Sequence, residues 1–199
     1  MTADGSFVPK KYELTVTPDF NEKTFIGKVI IHVEVSNSSV RSFELSAPKD
    51  LEIERISFFQ AAHIFRGHPQ YLGQTVDFNV TDKVQVSLLN DVTSESIKEG
   101  GYVEVDFKGK MEKFEKNTWE VKNALNIFPI LQDTPSLITL SVITPYRAGV
   151  EVPSLTAGEH KDVFGKELIS NNFNSGDKKI KVSEISFKVN GPTVLVLDN

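Results

Sequence analysis

Apolar and polar residues alternate through most of the chain, and the period is two. Tyr12, Leu14 and Val16 are interleaved with Glu13, Thr15 and Thr17. Ile31, Val33 and Val35 alternate with His32 and Glu34, and Val103, Val105 and Phe107 with Glu104, Asp106 and Lys108. Successive side chains of a strand point to opposite faces, so each run predicts a half-buried strand. Shorter runs at Val40–Leu45, Leu51–Phe58, Thr75–Phe78, Lys83–Leu88, Leu137–Ile143, Lys179–Val182, Glu184–Val189 and Thr193–Leu197 predict further strands. Helical periodicity is missing; Ser94–Glu99 predicts one turn of helix and nothing longer. The expected fold class is all-β, a saddle-like β-sandwich of mostly antiparallel strands.

Turn chemistry joins the first two runs into a hairpin. Pro18 fixes its own φ, and Asp19 and Asn21 can bond their own backbone. Gly27, at the start of the second run, marks a bulge or a close backbone approach. Other breaks fall at Ala47-Pro48, Gly67–Gly73, Glu99–Gly101, Ala148–Gly158 and Asn171–Asp177. None has the composition of a linker, and the chain holds no repeat or low-complexity tract. One domain over residues 1–199 is therefore expected, and a chain of this length buries about 70% of its unfolded surface.

Composition narrows the function classes. Apolar residues make up 39% and charged residues 25%, the balance of a soluble globular protein. A net charge of −5 argues against a nucleic-acid partner, which calls for a basic face. No apolar run approaches the roughly 18–20 residues of a membrane span. The opening residues MTADGSFVPKKYEL lack the apolar core of a cleavable secretory signal. Without cysteine there are no disulfides and no thiolate chemistry. The expected location is cytoplasmic, and the acceptor patterns at Asn37-Ser-Ser and Asn79-Val-Thr read as chance.

The first hairpin carries a second signal. Pro9, Tyr12, Leu14, Pro18-Asp19-Phe20, Phe25, Gly27, Val29 and Ile31 stand at a spacing that resembles the opening hairpin of the gluzincin zinc aminopeptidases, the aminopeptidase N and puromycin-sensitive type. The run VEVDFKGKM at Val103–Met111 looks like a later strand of that family, and LSVITP at Leu140–Pro145 like another. Phe128-Pro129 and Pro135 fall where the family carries a Phe-Pro-Cys segment. Everything that matches belongs to the family's N-terminal β-domain.

Catalysis in that family needs His-Glu-x-x-His on a helix, with the Glu as general base, and this chain has no such motif. Its histidines are His32, His63, His68 and His160, and His63 and His68 are five apart in a segment with Gly and Pro. Two loop histidines are the favoured reading of that pair over a metal site. The family's substrate-anchoring Gly-x-Met-Glu-Asn motif is missing as well. The resemblance implies that the β-domain lends the active site a Gln or Glu that holds the substrate amine. Counting back from Phe128 places Thr118 at that position, and aligning the threonines places Trp119 there; Glu120 matches the acid that follows. Leu125-Asn126 stand where the family has paired arginines, so the segment nearest the catalytic machinery is the most altered.

Other residues carry weaker readings. Glu13, Glu34, Glu44, Glu52 and Glu54 read as solvated strand faces rather than paired catalytic acids. Ser154 and Ser170 lack a nucleophile-elbow context, and Gly100-Gly101 is a turn without a following helix. Phe59, Phe65 and Tyr71 could form an exposed aromatic patch, with Phe58 in the core. No catalytic residue, metal ligand or cofactor is expected. Thr118, Trp119 and Glu120 are the candidate peptide or partner contacts, Trp119 foremost because it replaces a polar family position. The expected function is a non-catalytic binding module whose partner is a peptide or a full-length aminopeptidase, with no nucleic acid. One alternative is a fragment of an active zinc aminopeptidase that removes N-terminal residues, and another a scaffold domain in a larger assembly.

Overall fold

The computed structural model describes residues 5–192 except 66 and 164, and of these the side chains other than 62–65, 69 and 75. The long alternating runs form long strands. β1 (Ser6–Asp19) and β2 (Thr24–Ser36) make the first hairpin, and its turn is held as its sequence requires. Asp19 Oδ1 accepts from the backbone N–H groups of Asn21 at 2.9 Å and Glu22 at 3.0 Å. Tyr12, Leu14, Val16, Ile31 and Val33 are buried, and the residues between them face outward.

The remaining long strands are β3 (Ser39–Leu45), β4 (Glu52–Phe65), β5 (His68–Val80), β6 (Val84–Thr93) and β7 (Gly101–Lys110). Farther along come β10 (Leu137–Pro145), β12 (Thr156–Asp162) and β13 (Leu168–Asn174). Together these ten strands form one sheet in the order β12-β13-β10-β1-β2-β7-β4-β5-β6-β3. All its pairings are antiparallel except β1 with β10, where Leu14 stands beside Leu140. Short strands make a second, four-stranded sheet in the order β11-β14-β9-β8: β8 (Phe114–Glu115), β9 (Thr118–Val121), β11 (Gly149–Glu151) and β14 (Phe187–Asn190).

The large sheet folds over itself. β5 pairs with β4 as far as Thr75 and then leaves it to pair with β6 from Val76 onward. This carries the distal half of β5, with β6 and β3, across the inner face of β1, β2, β7 and β4. Phe7 of β1 sits at the junction, 5.2 Å from the ring of Phe43 and stacked at 5.4 Å on Phe58. The four-stranded sheet covers the other end of the same face. Trp119 stacks on Phe25 at 5.1 Å, and Phe128 meets Phe107 edge-on at 5.8 Å. The buried side chains form one contiguous cluster. Burying a large apolar side chain contributes about 1.5–3 kcal/mol, which fixes the arrangement. Among the described residues no helix is long and apolar enough to cross a membrane.

Several details depart from the sequence reading. Gly67–Gly73 and Asn171–Asp177, read as breaks, lie largely within β5 and β13. Gln70, Tyr71 and Leu72 belong to a hairpin tip with little cover, so their exposure hides the strand period. The Ala148–Gly158 break contains β11 and the start of β12. Lys179–Val182 is not a strand; Ile180 makes an isolated bridge to Ser136, and Val182–Glu184 is a 3-10 turn. Ser94–Glu99 is a turn, closed by reciprocal bonds between Thr93 and Ser96. The strand expected at Thr193–Leu197 lies outside the described residues. Gly27 behaves as expected: it opposes Phe107 in the ladder, and an added Cβ would overlap the Phe107 ring.

Candidate functional site

The segment singled out by sequence is strand β9, and neighbouring elements define its surroundings. Lys116 and Asn117 both have positive φ, 49° and 59°, the backbone of a two-residue hairpin turn that sends β8 back along β9. On its other edge β9 pairs with β14, so that Thr118 opposes Asn190, Trp119 opposes Val189 and Glu120 opposes Lys188. Beyond β9, Asn123 caps the 3-10 turn Ala124–Asn126 by accepting from Leu125 N–H at 2.9 Å.

The three candidate residues have different fates. Thr118 is half-buried, and its Oγ1 donates to Asn190 Oδ1 at 2.9 Å. Trp119 is only 1% exposed. Its indole lies between the Phe25 ring and the edge-on Phe187 ring, 5.6 Å away, so it is a core side chain. Phe25 and Phe187 cover the indole faces, so of the residue expected to be the foremost partner contact only the ring edge reaches the surface, at a pocket beside β9. Glu120 alternates to the outer side, half-buried, and stands between two depressions.

The larger depression is a pocket of about 500 Å³ between β9, the end of β7, the loop before β4 and the 3-10 turn. Phe25, Leu51, Trp119 and Ile127 make its floor, with only the edge of the indole reached. Its rim carries three cations, Lys110, Lys113 and Lys122, and three anions, Asp50, Glu112 and Glu120. None of the six is held in an ion pair with another described residue. The pocket is therefore an apolar floor inside a ring of charges of both signs that no described residue pairs. Sequence reasoning found Trp119 and Glu120 but missed Lys110, Lys113 and Lys122, which stand close by in the chain at positions no motif marks.

A second polar cluster lies on the outer face of the central strands. Glu13 accepts from Lys11 Nζ at 2.7 Å and is 2.9 Å from His32 Nε2. The bond to His32 is the largest cause that pulls the Glu13 carboxyl down to about 2, and the Lys11 contact adds to it against the opposing effect of burial. Beside it Tyr102 stacks on Phe59 at 4.9 Å and meets Tyr71 edge-on at 5.1 Å. Burial, and then the charge of Glu104, raises the Tyr102 phenol. The patch expected of Phe59 and Tyr71 thus exists with Tyr102 at its centre, Phe58 is fully buried, and the Phe65 side chain lies outside the described residues. On the inner side, burial pushes the Tyr12 phenol up to about 12; it donates to Gln132 O at 2.7 Å and accepts from Gln132 N–H at 3.1 Å.

The histidines stand apart. His32 is committed to Glu13, His160 is on the exposed edge strand β12, and His68 is exposed where β5 begins, opposite Phe65. The His63 side chain lies outside the described residues. Among the described residues no three of His, Cys, Asp and Glu are grouped as metal ligands would be.

No protein-family model matches the chain, and no curated protein matches it by sequence. Solved structures do match its fold. A point variant of a two-domain M1 zinc metallopeptidase bound to L-tryptophan superposes with a TM-score of 0.68 at 16% identity, covering 93% of this chain and 43% of that one. An M1 zinc metallopeptidase from Deinococcus radiodurans gives 0.67 at 16% identity, covering 92% and 42%. A variant of the Deinococcus radiodurans enzyme bound to a Tyr-Ser-Ala substrate gives the same values. The shared fold is an all-β domain of the kind found in the N-terminal region of these enzymes. The chain spans less than half the length of the structures it matches.

Proposed function

We propose that this chain is a non-catalytic binding module built on the β-domain of zinc aminopeptidases, and that its ligand is a short peptide held in the pocket beside β9. The observation that carries this reading is the pocket's make-up. A peptide with free ends is a zwitterion that can carry apolar side chains, and the pocket offers lysines and carboxylates unpaired among the described residues and an aromatic floor within one concavity. A few placed polar groups over an apolar lining are what a small-ligand site requires. Glu120 and Lys122 would take the charged ends, and the Trp119 edge would meet a side chain. Thr118 acts from behind, holding β9 to Asn190.

Trp119 is the single tryptophan of the chain, so its fluorescence reports on the pocket directly. Addition of the tripeptide Tyr-Ser-Ala should change the emission saturably, and Glu120→Ala with Lys122→Ala should weaken that response together. Release of an N-terminal residue from the same tripeptide, dependent on added zinc, would overturn the non-catalytic reading. An unchanged spectrum at millimolar peptide would overturn peptide binding.

A second reading rests on coverage. The structural match takes in 93% of this chain but 43% of a two-domain metallopeptidase, which favours a piece of a longer enzyme whose other part supplies the catalysis. A downstream reading frame encoding His-Glu-x-x-His would establish it. The pocket and its fluorescence test stand in either case.

A further inference from the structure

The sandwich is closed along one flank and open along the other. Its folded-over layer consists of β3, β6 and the distal half of β5, and β3 is tied down. Gly5 N–H donates to Ser39 O at 2.8 Å, Ser46 bridges Ile130, and Phe43 packs on Phe7. The β5 flank has no such closure among the described residues. From Val76 to Val80 the ladder of β5 runs to β6 alone, and over Glu52–Ile56 the ladder of β4 runs to β7 alone. Where the two strands part, two crevices lie end to end. One of about 440 Å³ lies between Glu54–Ser57 and Gly73–Phe78. The other, of about 200 Å³, continues from Ile53 to Val80.

Three observations say what fits there. The first is backbone: a strand edge without a neighbour presents a row of unpaired N–H and C=O groups, which only another extended chain can satisfy in order. The second is side-chain cover. By register Phe78 and Val80 share the core-facing side of Val86 and Val84. Yet Val84 and Val86 are 1% exposed, whereas Phe78 is 36% and Val80 54% exposed. These are core side chains that lack the next strand. The third is charge. Glu54 is held by Lys108 at 3.3 Å and Arg55 by Asp106 at 2.6 Å, so the larger crevice, along which Val76 and Phe78 lie, offers no free charge among the described residues. Lys49 and Asp82 stand only at the smaller crevice past Val80, with Lys83 held by Glu44.

The opposite end of the sheet shows that this edge is unusual. Edge strand β12 carries Glu159, His160, Lys161 and Asp162 and a register shift, the charges and bulge that normally protect an edge from pairing. Val76–Val80 reads VDFNV, with no lysine, proline or bulge.

We propose that the β5 edge at Val76–Val80 is a strand-addition site that accepts an extended, uncharged segment of a partner polypeptide with apolar residues at alternate positions. The added strand pairs with β5, covers Phe78 and Val80 and extends the folded-over layer from three strands to four. From Val76 to Val80 the unpaired edge spans about 15 Å at roughly 3.3 Å per residue, room for a paired segment of about five residues. Main-chain bonds supply affinity, and the alternate side chains supply selection.

The test uses the full chain, isotope-labelled for amide resonances, and the blocked peptide acetyl-Thr-Val-Thr-Val-Thr-Val-Thr-amide. A second peptide has the same sequence with alternate amides N-methylated, which keeps the side chains and removes the ladder donors. The first peptide should shift the Val76–Val80 and Glu52–Ile56 amides saturably and slow hydrogen exchange along β5. Binding should weaken about tenfold or more with the N-methylated peptide, as loss of even one or two net hydrogen bonds requires. Val80→Lys should weaken it similarly while leaving Trp119 emission unchanged, and Asp77→Lys, on the outer side of β5, should leave it intact. Should Val80→Lys fail to fold, the two peptides on the parent chain decide the matter. Equal binding of both peptides, shifts at the β9 pocket instead, or no shifts would overturn the proposal. A dimer in sedimentation equilibrium that Val80→Lys dissociates would overturn it too, because the occupant would be a second copy.

Discussion

The central strands and the small sheet meet at the Phe25–Trp119 stack, yet they are built by opposite means. β1, β2 and β7 run for 14, 13 and 10 residues, long enough for alternation to commit each side chain to a face before any partner is considered. β8, β9, β11 and β14 have 2, 4, 3 and 4 residues and come from positions between Phe114 and Asn190. In such short strands burial is decided by what arrives from elsewhere. Trp119 is a core residue because Phe25 and Phe187 close on it. A site residue on a short strand therefore has to be judged by its distant neighbours.

The most severe way to break this contrast is to remove the large side chain on each side. Trp119→Ala and Phe58→Ala should each cost about 3–5 kcal/mol in urea unfolding, the usual penalty for deleting a buried aromatic. Similar values would show both sheets in one cooperative unit, and a much smaller loss for Trp119→Ala would show the small sheet opening by itself. Gly27→Val comes next. The new side chain has to displace the Phe107 ring, and overpacking of this kind costs about 1–3 kcal/mol, read from the same urea curves.

Tyr12→Phe probes the central side more finely. It leaves Gln132 N–H and C=O without their phenol partner, at about 1–3 kcal/mol by thermal unfolding. Thr118→Val is the small-sheet counterpart, deleting the half-buried bond to Asn190 for about 0.5–1.5 kcal/mol. The smallest effect is electrostatic. Glu13 titrates at about 2 in the fold against 4.5 for an unperturbed glutamate, so its contribution is complete above the higher value and disappears as pH falls toward the lower. Acid titration of stability should therefore be shallower between those two values for Glu13→Gln than for the parent. Its partial exposure keeps the difference small.

What could be read from the sequence follows the same divide. The first hairpin, its Asx turn, Gly27 and the strands of the central sheet were all legible, because each depends on residues near it in the chain. The proximal course of β5 was not. Thr75–Phe78 in its distal half alternates and reads as strand, but from His68 to Gly73 a Pro, two adjacent apolar residues and a Gly interrupt the period. The candidate site was half legible. A family resemblance led to Thr118–Glu120, but Lys122 next to them and Lys110 and Lys113 before the hairpin turn match no family position, and the apolar floor from Phe25, Leu51 and Ile127 is assembled only by the fold.

The parallel pairing of β1 with β10 has a consequence for biosynthesis. Tyr12 and its partner Gln132 are 120 residues apart, and Leu14 must wait for Leu140. On a chain made from its N-terminus, the first hairpin can form at once, while the far edge of β1 stays bare until β10 has left the ribosome. Pairings this distant in sequence place such β proteins among the slower folders, with relaxation in milliseconds to seconds. Nascent chains stalled before Leu137 should accordingly remain bound to chaperones, and chains stalled well beyond Asn174 should be released.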